Sequence, residues 1–334
     1  MKVFEHYKSL GGYPPHDGLN FKDNWFQFND DPRTQNIDLH MGAIVDFRKI
    51  RSNKINVHLQ GEWPNSWFNG RVRGQHTSHN LEIEKRFDHV LSFCKITCHG
   101  RGYSYAPKTF DFDHVFSQLN INDDFSNIKK DIDVFMCASW ACKNPKTSPV
   151  WPWYQVMKKF NYAFCNQQFP GHKYPWHEKQ RLSLNSKISI VFSSFIGATP
   201  ECIEYARQNH PWIKFKIPDG TDVTKHMLPH PKGRIMDAAA SKSLMLCYKD
   251  PFVNDPYPYR SAIEDSYSLK PDVDFIYFKD SDDLEKKIHQ ILDDWDNPKY
   301  SQMVESAYRK IKENHDIKAV YEKYLVPLSK SKLL

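Results

Sequence analysis

The chain has 334 residues, of which 40% are hydrophobic, 26% charged and 14% aromatic, with a formal net charge of +6. That length is enough for two domains with cores of their own, and the composition excludes a disordered chain. No run approaches the roughly eighteen apolar residues of a membrane span. The opening "MKVFEHYKSLGGYPP" is too polar for a signal peptide, so a cytoplasmic protein is expected. The positive balance comes without a block of consecutive Lys and Arg, which argues against nucleic acid as a partner.

In chain order, "MKVFEHY" predicts a first strand closed by Gly11-Gly12 and Pro14-Pro15, and "NIDLHMGAIVDFRKI" contains a second strand-like run. In "INVHLQGEWPNSW", Ile55, Val57 and Leu59 alternate with Asn56, His58 and Gln60, so one side of a third strand is apolar. Gly61 ends it and leaves Glu62 at its carboxyl end, where open α/β sheets bind ligands. Position alone fits a catalytic carboxylate and a solvated loop or capping residue equally. "FDHVLSFC" repeats the strand pattern, and "HGRGYSYAP" reads as a Gly- and Tyr-rich loop. Cys94, Cys98 and His99 lack a second ligand pair at zinc-finger spacing and read as buried thiols rather than a metal site. The polar stretch "LNINDDFSNIKKD" reads as a linker that places the domain boundary near residue 125.

The second half alternates strands with helices, the pattern of a parallel sheet covered on both faces. "DIDVFMCAS" is a strand leaving Ser139 in the turn after it, and "WPWYQVMKKFNYAF" is helical in composition. "KQRLSLNSKISIVFSSF" gives a helix, an apolar strand and a polar turn at Ser193-Ser194, and "TPECIEYARQNHP" a helix with Thr199 as N-cap. The stretch Leu228 to Phe252 reads as a loop, a helix entered at Gly233, a buried strand and a second loop. Lys232 and Arg234 sit at the helix start, where unpaired N–H groups favour anions. Arg234 and Asp237 share a face, one offering a cation for phosphate and the other a carboxylate for a sugar hydroxyl. The alternatives are a surface ion pair for Arg234 and a first-turn acid that stabilises the helix for Asp237. "DFIYF" is a further strand, "DDLEKKIHQILDDW" an amphipathic helix, and two more helical segments close the chain.

At "SKISIVFSS", "KGRIMDAAASKSLMLCYKDPF" and "DFIYFKDSDDLEKKIHQILDD" the sequence resembles the carboxyl-terminal domains of GT-B glycosyltransferases of the group-1, CgeB-like type. The matching residues are Arg234 and Asp237, Ala238 to Ala240, Leu244 to Cys247, Asp274 to Phe278, Leu284 to Leu292, and His315. "GEWP" at Gly61 to Pro64 is similar to the Glu-x-Pro after a strand in the amino-terminal domain of many such enzymes. The expected acid is Asp237 where Glu is commoner, and Met245 stands eight positions on where a second acid would be, so the pair of glutamates does not carry over.

The resemblance implies two Rossmann-like domains facing a cleft: an acceptor domain at 1–125, a nucleotide-sugar domain at 126–318, and a closing helix at 319–334 returning to the first. The implied reaction moves a sugar from a nucleotide sugar to a glycan or glycoconjugate hydroxyl, with hexosyl or pentosyl transfer both open. "NDD" at Asn122 to Asp124 lies in the linker and "SDD" at Ser281 to Asp283 caps a helix, so no acid cluster takes the place of a metal site. Neither metal nor cofactor is therefore expected, and Lys232, Arg234 and helix N–H groups would stabilise the leaving diphosphate. Ser139, Ser193 and Ser194 are candidates for phosphate or base, and Glu62, or His58 behind it, for acceptor activation. A GT-B-shaped sugar-nucleotide epimerase and a non-catalytic carbohydrate-binding protein remain the competing readings.

Overall fold

The computed structural model describes residues 1–5, 24–41, 45–60, 85–121, 125–138, 146, 148–166, 174–198, 208, 226–229, 231–256 and 263–331. Glu62 and the rest of "GEWP", Ser139, Asn122 to Asp124 and the helix expected from Thr199 lie outside the described residues. The chain divides into two compact units. The first comprises Met1–His114, Glu201–Lys214 and Asn314–Leu334, and the second Val115–Pro200 and Phe215–Glu313.

The first unit holds a five-stranded parallel sheet whose strands lie side by side in chain order: β1 (Lys2–Glu5), β2 (Ile37–Met41), β3 (Ile55–Gln60), β4 (His89–Ser92) and β5 (Ser104–Tyr105). Alternation sorts its side chains onto two faces. Ile37, Leu39, Met41, Ile55 and Val57 pack with Met1, Val3 and Trp25 and with Ile317, Val320, Tyr321 and Leu325 of the closing segment. The opposite face is polar yet buried: Asp38, His40, Asn56 and His58 are each at most 3% exposed. Buried polar groups need partners, and these have them. Arg51 pairs with Asp38, the Asn56 side-chain oxygen accepts from the Arg51 amide at 3.3 Å, and Phe4 stacks on His40 with centroids 4.8 Å apart.

One sequence expectation fails here. The segment taken as a Gly- and Tyr-rich loop forms helix α1 (Lys95–Arg101) and edge strand β5. Gly102 ends the helix at φ +70°, a conformation glycine adopts without strain, which is how so short a helix stops cleanly. Cys94 occupies the cap position at the start of this helix and is buried, Cys98 lies within it half-buried, and both thiols are free. Helix α2 (Phe112–Leu119) follows.

The second unit contains a second five-stranded parallel sheet, built from β6 (Ile132–Cys137), β7 (Tyr162–Cys165), β8 (Ser186–Val191), β11 (Leu244–Tyr248) and β12 (Ile276–Phe278) in the spatial order β12-β11-β8-β6-β7. A two-stranded antiparallel sheet joins β9 (Ser194–Ala198) to β10 (His226–Pro229). Among the helices are α3 (Trp151–Met157), α4 (Trp176–Leu184), α5 (Arg234–Ala240), α6 (Ile263–Tyr267), α7 (Ser281–Asp293) and α8 (Pro298–His315). One sheet face buries Val134, Met136, Phe164, Ile188, Ile190, Leu244 and Leu246 against Trp153 and Met157 of α3, Leu284, Ile288 and Ile291 of α7, and Tyr300 and Met303 of α8. Each such side chain contributes roughly 1.5–3 kcal/mol by leaving water. The cap of α7 is Asp280, one residue before "SDD": it accepts from the Asp283 amide at 2.8 Å, and Ser281 to Asp283 form the first turn.

Two segments differ from their sequence reading. "NYAF" is strand β7, not the end of a helix, and Leu228-Pro229 belong to β10, not to a loop. Likewise Ser194 opens β9 rather than completing a turn.

Candidate functional site

In the second sheet the chain begins at β6, moves to the edge at β7, then returns to the other side of β6 for β8, β11 and β12. Parallel α/β sheets bind ligands outside the carboxyl ends of the strands where the direction of winding reverses. That point lies between β6 and β8. Cys137 and Ala138 end one strand and Val191 and Phe192 the other. The first sheet, wound in strict chain order, has no such reversal among its described strands.

Helices α4 and α5 lie on the β6–β8 face that carries Phe135, Cys137, Ser189 and Val191. With Lys179, Ser183, Arg234 and Asp237 these residues line a small cavity with room for about one water molecule. Local chemistry fixes α5 in place. Ala238, Ala239 and Ala240 are at most 2% exposed, so their small side chains allow close approach to the sheet. The Tyr267 hydroxyl donates to the Lys232 carbonyl at 2.8 Å, holding the turn that leads into α5. The Ser243 hydroxyl donates to the carbonyls of Ser183 and Ser186, each at 2.8 Å, and closes the other end. Lys130 donates to the carbonyls of Leu184 and Ser241 at 2.6 and 2.7 Å, so one buried amine joins the exits of α4 and α5.

Arg234, the first residue of α5, places its guanidinium carbon 3.8 Å from the centroid of the Phe192 ring. That stacking holds a permanent cation at the carboxyl end of β8. Asp237, one turn further, points inward and is 2% exposed. Its Oδ1 accepts from Gln180 Nε2 at 2.8 Å and its Oδ2 faces Lys179 Nζ at 3.3 Å. Burial is the largest single influence and lowers the Lys179 pKa, but the Asp237 charge, the neighbouring Cys137 and the hydrogen bond to Asp237 together outweigh it and hold the ammonium above its ordinary range. The carboxylate expected to meet a sugar hydroxyl thus has both oxygens engaged by α4. Lys179 and Gln180 carry no motif. The clue to them was that a buried acid on α5 requires a cation on the neighbouring helix.

The other expected residues fall as follows. Lys232 precedes α5 half-buried, its carbonyl already bound by Tyr267. Ser193 and Ser194 follow β8 but are 3% and 0% exposed, and the Ser194 hydroxyl has no hydrogen-bond partner among the described residues. His58 lies in the first unit, 2% exposed, with Nδ1 3.2 Å from the His40 carbonyl oxygen and its ring against Phe87. A base that takes the acceptor's proton must come within hydrogen-bond reach of it, and His58 is buried in this structure.

No family model matches the sequence, and no curated protein is returned as a sequence relative. Solved structures are similar. An alpha-glucosyltransferase in complex with UDP and a 13-mer DNA containing a central A:G mismatch superposes with a TM-score of 0.54 at 13% identity, over 88% of this chain and 80% of that one. The fold is GT-B. An alpha-glucosyltransferase with UDP-glucose and DNA containing an abasic site gives a TM-score of 0.53 at 12% identity over 89% and 80% of the two chains. One with UDP alone gives 0.52 at 13% over 88% and 81%.

These neighbours correct one expectation. Nucleic acid was set aside because the sequence has no run of basic residues, yet GT-B proteins of this architecture are held in complex with DNA. A run is the wrong criterion for a folded chain, because phosphate contacts are assembled from residues distant in sequence. Among the described residues no helix is long and apolar enough to cross a membrane.

Proposed function

We propose that this chain transfers a sugar from a nucleotide-sugar donor to an acceptor hydroxyl, with the donor diphosphate held by the second unit. The observation that carries this reading is the coincidence of the winding reversal between β6 and β8 with Arg234, stacked on Phe192 beside it. The GT-B neighbours that contain UDP support it. The cavity between α4, α5 and the sheet is far smaller than a nucleotide site, so it is the floor beneath the donor and not its container.

In the reaction the bond from the sugar carbon to the diphosphate oxygen breaks, a bond to the acceptor oxygen forms, and the acceptor loses its proton. Negative charge grows on the departing diphosphate. Arg234 and Lys232 are assigned to that charge, which makes the proposed chemistry independent of a metal ion. Asp237 and Lys179 are assigned to positioning, since their pair fixes the rotation of α5 and hence the direction of Arg234. On the acceptor side Glu62, or the buried His58 behind it, is assigned to acceptor activation. Membership of the CgeB-like type, a cytoplasmic setting and transfer of a hexosyl or pentosyl group belong to the same proposal.

The acceptor class includes a hydroxyl on DNA beside glycans and glycoconjugates, because solved neighbours of this fold hold DNA containing an HMU base. A panel of nucleotide sugars read by thermal shift and donor hydrolysis tests the donor. UDP is expected to bind, and Arg234→Ala to weaken it about ten- to a hundredfold, the loss of a charge-assisted contact. If no nucleotide binds, or the variant binds as wild type does, the reading fails. Transfer assays with glycans and with hydroxymethylated DNA then choose the acceptor.

A further inference from the structure

Cys137 and Cys165 end β6 and β7, and the parallel ladder places them directly opposite one another. Side chains of registered partners in a parallel pair point to the same face. Here that is the face covered by α4 and α5, because Cys137 lines the cavity with Lys179 and Asp237. The separation of neighbouring strands, about 4.8 Å, falls inside the Cα range of about 4.4–6.8 Å found across disulfides. The Ala138 amide donates to the Cys165 carbonyl at 3.1 Å and keeps the two strand ends in register beyond the last pair. Both thiols are free, Cys137 half-buried and Cys165 at 4% exposure.

We propose that Cys137 and Cys165 form a dithiol modification site that closes to a disulfide by exchange with low-molecular-weight disulfides. Cys137, the more accessible, attacks first as its thiolate. One sulfur of the small disulfide joins Cys137 and the other leaves as a thiol. Cys165 then loses its proton and attacks the Cys137 sulfur, expelling the second small thiol. Two protein thiols are oxidised, one small disulfide is reduced to two thiols, and the protons end on the departing thiols. Burial, and then the neighbouring Cys137, push the Cys165 thiol up to about 12, while the Lys179 charge opposes the rise. Cys165 is thus a poor first attacker, and its role is to resolve the adduct, where its fixed position beside Cys137 gives it a high effective concentration. Cys98 is placed differently, its thiol donating to the Ser92 carbonyl at 3.3 Å.

The test incubates the folded full-length chain with oxidised glutathione, blocks remaining thiols by alkylation and maps the peptides by mass spectrometry without reduction. The expected product is a peptide pair joined through Cys137 and Cys165, reversible by dithiothreitol. Cys165→Ser is expected to stop at a glutathione adduct on Cys137, and Cys137→Ser to leave Cys165 unmodified. Wild-type mapping is decisive even if a variant folds poorly. A bridge mapped to any other pair, or both thiols still alkylatable after the incubation, overturns the proposal. No nucleotide is present, so the outcome is independent of the donor reading.

Discussion

Asp237 illustrates how burial decides the role of an acid. Two per cent exposed, with one oxygen on Gln180 and the other facing Lys179, it can remain charged inside the second unit only because those partners exist. Removing it leaves an ammonium whose side chain is 18% exposed with no counter-charge. Asp237→Ala is therefore expected to destabilise the protein by about 3 kcal/mol, the low end for a broken buried pair because Lys179 can turn toward solvent. Urea unfolding measures it, and a loss below roughly 0.5 kcal/mol, that of an ordinary surface substitution, would refute the assignment. A second residue governs pH dependence. Burial lowers the His315 pKa to about 4, with Nδ1 held 2.7 Å from the Lys108 carbonyl oxygen. Because the unfolded imidazole takes its proton at about 6.5, the unfolded state binds more protons between the two values. The contribution is therefore present above about pH 6.5 and is lost as pH falls toward 4, on the order of 3 kcal/mol. His315→Asn should flatten the stability profile across that window. Equal slopes for variant and wild type would show that His315 does not contribute.

At the scale of elements, the sequence is most legible where one physical signal dominates. "ISIVF" and "SLMLCY" are near-continuous apolar runs, and both became central strands of the second sheet. The period of Leu284, Ile288 and Ile291 became the buried stripe of α7. Legibility fails where local propensity and tertiary context compete. "NYAF" continues an aromatic segment that reads as helix, but pairing with β6 makes it β7. Helix α1 was hidden by the glycines around it, although Gly102 is what ends it. In the site, Arg234 was readable because it opens a helix after Pro and Gly. Lys179 was not, since its meaning depends on a residue 58 positions away. The alternation of β3 marks one apolar side but says nothing about what covers the polar one. Asn56 and His58 are buried, and no periodicity distinguishes a solvated polar face from one covered by other polar groups.

At the scale of the whole molecule, the described strands of the two units differ in winding, and the proposed division of roles rests on this asymmetry. A sheet wound in one direction offers no reversal crevice, whereas the second sheet has one between β6 and β8. If the donor depends on the second unit alone, damage to the first should spare nucleotide binding. The closing segment permits that separation. Leu325 is fully buried in the first unit's core with Ile317, Val320 and Tyr321, against Ile37, Leu39 and Val57 of the sheet. Leu325→Ala removes a buried side chain and leaves a cavity, an expected loss of about 2–5 kcal/mol. The variant should show an earlier first transition by differential scanning calorimetry. At temperatures below that transition its affinity for UDP, measured by isothermal titration calorimetry, should match wild type within about twofold, a difference below 0.5 kcal/mol. Acceptor transfer should fall as the first unit melts, while donor hydrolysis persists. A parallel collapse of UDP affinity with the first transition would mean that donor binding draws on both units, and the division of labour inferred from the windings would be wrong.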